Sequence, residues 1–350
     1  MFLYNRVSRE ELKQRLAEET FKRRTISFYR YFRINDPEEF RNKIYCMWSE
    51  LDCLGRIYIA KEGINAQMSV PEHHLDAFME QLMTIPGLEN IPVKYAIEDD
   101  GKSFFKLTIK VRDKIVADGF DPEEYDFTNV GTHLSAIDFH LMSEDPENLV
   151  VDMRNHYEYE VGHFLNAHHP DADTFRIAVR KAVKDLSEYK NKNILLYCTG
   201  GIRCEKASAY FRHMGFNKVY QLHGGIIEYA SQMKKMKLEP RFTGKNFVFD
   251  DRLGESIDGK VISNCHQCGK PCDDHTNCAN DICHLLFIQC DTCREKNEGC
   301  CSDECREIMH MPEDKKAFAR IEREHHYNRS KIYAKPYLMQ VTADNSVSCN

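Results

Sequence analysis

The sequence has no apolar run near the roughly 18 residues that a membrane span needs. Its amino end, MFLYNRVSREELKQRL, meets charge within six residues and lacks an apolar h-region. No secretory signal is therefore expected, and a cytoplasmic location is. There is no internal repeat and no low-complexity tract. No G-x-G-x-x-G dinucleotide fingerprint occurs, because Gly200-Gly201 and Gly224-Gly225 read as turns. No two-His-one-carboxylate iron triad is readable either. Positive charge is short overall: the net charge is −7, which gives no reason to expect DNA or a membrane as partner. Ordinary proportions of apolar (42%) and charged (29%) residues exclude wholesale disorder, collagen and coiled coil. The 350 residues suffice for two or three domains of roughly 100–200 residues.

Cysteine is what the chain has in excess. Of 15, ten fall between Cys265 and Cys305. In a reducing compartment such density points to metal or catalysis before disulfides. Basic charge is also concentrated. Residues 1–33 carry nine bases against four acids, and Lys315 to Lys335 carries seven against two. Such stretches can meet phosphate. The candidate RNA contacts are Lys22, Arg23 and Arg24, with Lys234, Lys235, Lys237, Arg241 and Lys245 further on.

The patterning divides the chain. Residues 1–112, behind a basic leader, read as β-α-β-β-α-β, the ferredoxin-like or acylphosphatase-like arrangement. Its first helix has Asp36 as N-cap, Pro37 at the first position and Gly55 as C-terminal cap. Cys46 and Cys53 are placed within it as ordinary thiols. Residues 113–134 are polar and turn-rich, a linker. Between 135 and 240 strands alternate with helices, which predicts a doubly wound parallel sheet. Residues 241–311 form the Cys-rich region, and 312–350 a basic, loosely ordered tail.

The chemistry concentrates in CTGGIRC, Cys198–Cys204. Cys198 ends a buried strand, and chemistry in such sheets sits at the strands' carboxyl ends. Thr199, Gly200, Gly201 and Ile202 form a loop whose amides can converge on one point. A helix is expected to begin after Arg203 or Cys204. Its dipole and the Arg203 charge favour thiolate, so Cys198 is the candidate nucleophile. The C-x4-R loop is one residue shorter than the C-x5-R of Cys-dependent phosphatases and suits a smaller guest, such as one extra sulfur. For Cys204 two readings stand: a thiol that resolves a sulfenate or persulfide, or a passive residue of the helix start.

CTGGIR resembles the rhodanese active loop C-x-x-G-x-R. The segments Val150–Ala167 and Gly215–Tyr229 resemble the entry segment and closing turn of the same domain. Together with KEGINAQMSV, DGKSFFKLTIKVRDKIVADG, CHQCG, HTNCAND and CHLLFIQC, the chain resembles the bacterial rhodanese-domain tRNA uridine hydroxylases along nearly its whole length. That resemblance implies an oxidoreductase that uses O2 as co-substrate to hydroxylate C5 of the wobble uridine, position 34, in the tRNA anticodon loop. It implies a persulfide-forming role for Cys198. The loop alone fits equally a sulfurtransferase carrying sulfur on Cys198.

In the Cys-rich region, Cys265-x2-Cys268 and Cys290-x2-Cys293 are two knuckles 21 residues apart, the pattern of a structural zinc site. A second site can draw on Cys272, Cys278, Cys283, Cys300, Cys301 and Cys305. Disulfides and an iron–sulfur cluster are the rival readings, in that order.

Overall fold

The computed structural model describes residues 7–99, 101–121 and 123–316. Most of the basic tail thus lies outside the described residues.

The leader contains a helix, α1 (Arg9–Glu18), that apolar periodicity could not announce because it buries no residue. Ser8 starts it by accepting a hydrogen bond from the Glu11 amide. The first domain then runs β1 (Arg23–Tyr31), α2 (Pro37–Ser49), β2 (Leu54–Ala60), β3 (Gly63–Pro71), α3 (Leu75–Thr84), β4 (Lys94–Tyr95) and β5 (Leu107–Val111). Asp36 caps α2 through the Glu38 and Glu39 amides at 3.0 and 2.9 Å. The sheet order is β4-β1-β3-β2-β5, with β5 added parallel to β2 outside the split βαβ core. Trp48 of α2 is fully buried against Phe28 and Phe78, with ring centroids 6.2 and 5.7 Å away. Two expectations fail here. Gly55 does not cap α2, which stops at Ser49; it lies inside β2. Cys53 lies beyond the helix, buried in the core, while Cys46 is helical as expected.

The second domain runs β6 (Thr132–Leu134), α4 (Ala136–Glu144), β7 (Leu149–Asp152), α5 (His156–Val161), β8 (Gly162–Phe164), α6 (Phe175–Asp185), β9 (Asn193–Tyr197), α7 (Ile202–His213), β10 (Lys218–Leu222) and α8 (Gly225–Met236). Its four-stranded sheet has the order β6-β10-β9-β7 and every pairing is parallel. Helices cover both faces. Val179 and Phe211 pack on one side with Ile194 and Leu196, while Phe139 and Ile226 pack on the other with Leu195 and Tyr197. Successive residues of β9 thus serve opposite cores, as a pleated strand buried on both faces requires. The last residues of the supposed linker, Thr132–Leu134, are the edge strand β6; three residues are too few for a strand pattern to show.

The remaining chain contributes β11 (Phe242–Asn246), β12 (Glu255–Ser256), β13 (His275–Asn277), β14 (Leu286–Ile288), α9 (Asp291–Lys296) and α10 (Asp303–Met309). β11 pairs with β8, and Phe242 packs in the core of the second domain.

One strut closes the sheet below the site. Arg154 and Asp152, both fully buried, face each other, with Nη2 2.7 Å from Oδ2. The Tyr197 hydroxyl donates to the same carboxylate at 2.5 Å, and Nη2 also reaches the Gly162 carbonyl at 2.5 Å. Removing one member of such a pair strands a buried charge. Asp152→Ala should cost about 3–5 kcal/mol of stability, read from urea unfolding. A loss no larger than the roughly 1 kcal/mol of an exposed ion pair would mean that water reaches Arg154.

Candidate active site

Cys198 follows β9 directly and is wholly buried. The chain turns at Gly201, whose φ of +99° is left-handed, and α7 begins at Ile202. Arg203 and Cys204 therefore lie in the first turn of the helix, not before it. The Gly201 N–H points at the Cys198 sulfur from 3.1 Å. From below, the head of α8 closes in: the Ile226 and Ile227 amides donate to the Cys198 and Thr199 carbonyls at 3.1 and 3.2 Å. A Cβ at Gly225 would lie 2.5 Å from the Thr199 oxygen, so only glycine fits there.

Burial by itself pushes the Cys198 thiol up. The Cys204 thiol that hydrogen-bonds it, the Arg203 guanidinium and the Cys204 and Arg203 amides outweigh that, and bring it down to about 6. Cys204 shows the reverse: burial and its bond to Cys198 hold its own thiol well above the ordinary range. Cys204 is thus a proton donor to the thiolate.

Arg203 is held by a residue that sequence reading did not single out as a site member. The fully buried Glu158 of α5 accepts both arms of the guanidinium, at 2.6 and 2.8 Å, and the Thr199 hydroxyl at 3.0 Å. The same carboxylate accepts the Asn155 amide, the reciprocal bond of a capping box. The only signal for it was its place in the segment Val150–Ala167 that resembles the rhodanese entry segment.

The loop forms one wall of a cleft of about 380 Å³, to which Thr199, Gly200, Ile202 and Arg203 contribute. A side chain added at Gly200 would meet nothing within 4 Å, so the approach lies over this glycine. The first domain supplies the facing wall. Tyr29 donates to Glu205 Oε1 at 3.1 Å, Tyr31 donates to the Ile202 carbonyl at 3.3 Å, and Lys206 pairs with Glu62 at 2.6 Å. Val248–Asp250 and Arg252 close a third side, with Arg56 donating to the Phe249 carbonyl at 3.2 Å. The rings of Tyr29, Tyr58, Phe175 and Phe249 line the space. Its volume falls within the about 300–1,000 Å³ typical of small-ligand sites.

The Cys-rich region forms two four-thiol groups, Cys265, Cys268, Cys290 and Cys293, and Cys278, Cys283, Cys301 and Cys305. Within each, all sulfurs lie within 4.8 Å of one another. The Cys268–Cys290, Cys283–Cys301 and Cys301–Cys305 sulfurs are 3.6, 3.7 and 3.6 Å apart. A disulfide needs about 2.05 Å. Four thiolates about 2.3 Å from one tetrahedral ion stand about 3.8 Å apart. Each group could hold a metal ion. Of the six cysteines expected to supply a second site, Cys272 and Cys300 are left out.

The basic candidates fare less well. Arg23 is buried, with its guanidinium on Glu19 at 2.6 Å and on the Asp52 and Ser69 carbonyls, so it is a structural residue. Lys245 is held by Asp273 and Asp274 at 2.8 and 3.0 Å. Arg24 is exposed but paired with Glu72, and Lys22 is exposed beside it. Lys234, Lys235 and Lys237 are exposed at the far end of α8. Nine residues at 1.5 Å each put Lys234 about 14 Å along the axis from Gly225, away from the loop. Arg241 is half-buried beside β11.

A parallel-sheet domain with a thiolate loop of this shape, packed against an acylphosphatase-like domain, defines a rhodanese-type protein with an added amino-terminal domain. Comparison with known families agrees. Residues 23–115 match the UPF0176 acylphosphatase like domain, 135–232 the rhodanese-like domain and 243–306 the rhodanase C-terminal model. The chain is 54% identical over 95% of its length to the tRNA uridine(34) hydroxylase of Cronobacter sakazakii, and 54% identical to that of Salmonella schwarzengrund, again covering 95% of either chain. The chain belongs to the tRNA uridine(34) hydroxylase family.

Alkylation of Cys198 by iodoacetamide should show a midpoint near pH 6. In Arg203→Ala the midpoint should move up, because a cation that favours thiolate is gone. An unchanged midpoint would show that the guanidinium charge is spent entirely on Glu158.

Proposed function

We propose that this chain is a tRNA-modifying oxidoreductase that hydroxylates C5 of uridine 34 with O2 as co-substrate, using Cys198 as its reactive sulfur. The observation that carries the reading is the buried, low-pKa Cys198 under a cleft of about 380 Å³ in a chain matching curated uridine(34) hydroxylases over 95% of its length. A base inside a stacked anticodon cannot reach Gly200; it must be splayed out and held, and aromatic walls are how proteins hold an unstacked base. Tyr29, Tyr58 and Phe249 offer such walls. The site residues in this reading are Cys198 as nucleophile and Thr199, Gly200, Gly201, Ile202 and Arg203 as the loop that activates it. Cys204 keeps its own proton and donates its S–H to the Cys198 thiolate. Lys22, Arg24 and the cluster Lys234, Lys235 and Lys237 are surface cations for the RNA backbone distant from the target base. The protein works in the cytoplasm, where tRNA is.

The sulfurtransferase reading draws on one observation, the Gly201 N–H aimed at the sulfur, which suits a persulfide as well as a thiolate. Nucleoside mass spectrometry of tRNA separates the two. In a strain carrying only Cys198→Ser, wobble uridine should lose its C5 oxygen completely. Loss of a thio group instead would favour sulfur transfer, and retained modification would remove Cys198 from the chemistry.

The two four-thiol groups hold zinc in this reading. Zinc there is structural, tying together a region with short strands and little apolar core. Purified protein should contain about two zinc ions per chain. Chelation should lower the thermal midpoint and release the ions together with titratable thiols. Full stability in the chelator with no metal found would refute a structural metal.

A further inference from the structure

Lys94 stands on the short edge strand β4, and only 8% of it is exposed. Its ammonium lies 4.7 Å from the centroid of the Tyr29 ring. Its stem runs beside the head of α8, so that a Cβ at Gly224 would come 3.5 Å from Lys94 Cε. The other deep cations of this region have carboxylates: Lys206 has Glu62 and Asp118, Arg203 has Glu158, and Arg154 has Asp152. Among the described residues, no side chain hydrogen-bonds or ion-pairs with the Lys94 ammonium. Burial pulls this lysine down to about 8, against the opposing pull of Cys198, Glu228 and Glu205. A buried charge without a counter-ion is costly, and it persists where a ligand supplies the missing partner.

Two further features point the same way. The head of the 12-residue helix α8 abuts Lys94, and among the described residues the Gly224 and Gly225 N–H groups meet no acceptor. Amides left over at a helix start, together with its dipole, attract anions. A crevice of about 260 Å³ opens there beside Lys94, Gly224, His133 and His223. Its one carboxylate, Glu205, is already engaged by His133, Gln221 and Tyr29. Tyr29 and Lys94 line both this crevice and the cleft over the Cys198 loop. Lys94 therefore stands where a base-sized space and an anion-sized space meet.

We propose that Lys94 and the Gly224 amide at the head of α8 form a phosphate subsite, which takes the phosphodiester attached to the uridine whose base enters the cleft. The proposal rests on the tRNA reading for its substrate. It assigns Lys94 the positioning of the target nucleotide. The subsite lies beside the thiol, so it orients the nucleotide at the point of reaction, which the exposed lysines at the far end of α8 cannot do. The Cys198 sulfur has its own contacts from Cys204, Arg203 and Gly201 and acts on Lys94 only through space, which leaves the ammonium's hydrogen bonds for a ligand.

The test uses Lys94→Gln and Lys94→Arg in the full chain, with an anticodon stem–loop RNA as probe. Charge-assisted contacts being the strong ones, Lys94→Gln should weaken binding about tenfold, and Lys94→Arg should recover most of it. The slope of log affinity against log salt should flatten by about 0.7 for one lost single-strand phosphate contact. Because the Cys198 charge also pulls on Lys94, the alkylation midpoint of Cys198 should rise modestly in Lys94→Gln and return in Lys94→Arg, alongside the loss of RNA binding. Wild-type affinity and slope in Lys94→Gln overturn the proposal. So does a shifted alkylation midpoint with unchanged RNA binding, which would make Lys94 a residue that tunes the thiol. A second readout is independent of hydroxylation: protection of Cys198 from iodoacetamide by uridine 3′-monophosphate against uridine. The wild type should favour the phosphorylated compound and Lys94→Gln should not; equal protection of the wild type by both sinks the subsite. A wild type that keeps this preference yet leaves uridine 34 unmodified sinks the hydroxylase reading alone.

Discussion

The buried pairing of Glu158 with Arg203 is the interaction on which the site depends. Both arms of the guanidinium and the Thr199 hydroxyl converge on one carboxylate. That carboxylate is itself aimed by the capping box at the start of α5. The loop thus has its two ends fastened, Cys198 to the sheet through β9 and Arg203 to the α5 side. Between them the backbone has little choice but to turn through Gly201, and the turn directs an amide at the sulfur. Exposed, the pair would add little; with water excluded, its geometry is fixed and its charges cannot be swapped for solvent.

Three parts of the chain then combine to make a space that none of them has alone. The parallel-sheet domain offers a loop at the carboxyl ends of its strands, where such sheets place their chemistry. The first domain lays β1 across that loop, and Tyr29, Tyr31 and Glu62 anchor it to α7. The segment after β11 supplies Phe249 and Arg252, and Arg252 is tied to Asp250 and Glu255 at 2.6 Å each. This third wall leads into the two four-thiol groups, each of which could hold a metal ion.

Charge is arranged locally. With a net charge of −7 the molecule has no long-range pull on RNA, and screening confines each group's reach to about 8–10 Å at moderate salt. Arg23 and Lys245, basic in sequence, are neutralised by acids folded against them. Lys94, unremarked among many lysines, has no ion-pair or hydrogen-bond partner for its ammonium among the described residues where the cleft and the crevice meet. What matters is which charges the fold leaves unpaired.

The place of Cys198 at a strand end, its loop and each C-x2-C knuckle were legible because each is written in contiguous residues. CTGGIRC carries its own turn and helix start, and C-x2-C spacing is set by the geometry of a single tetrahedral ion. The β-α-β-β-α-β order and the alternating strands and helices were equally plain, since burial periodicity is local. The edge strand β6 and the helix α1 were not, being too short or too exposed to leave a pattern. Partners distant in sequence were hidden for a deeper reason. Glu158 meets Arg203 across 45 residues, and Tyr29 meets Glu205 across 176. Residue types and their spacing determined by themselves that a reactive thiol and metal-ready cysteines exist. Which charges are paired, what covers the thiol and where a nucleotide can lie were decided only by tertiary packing, because burial is a property of the assembled chain.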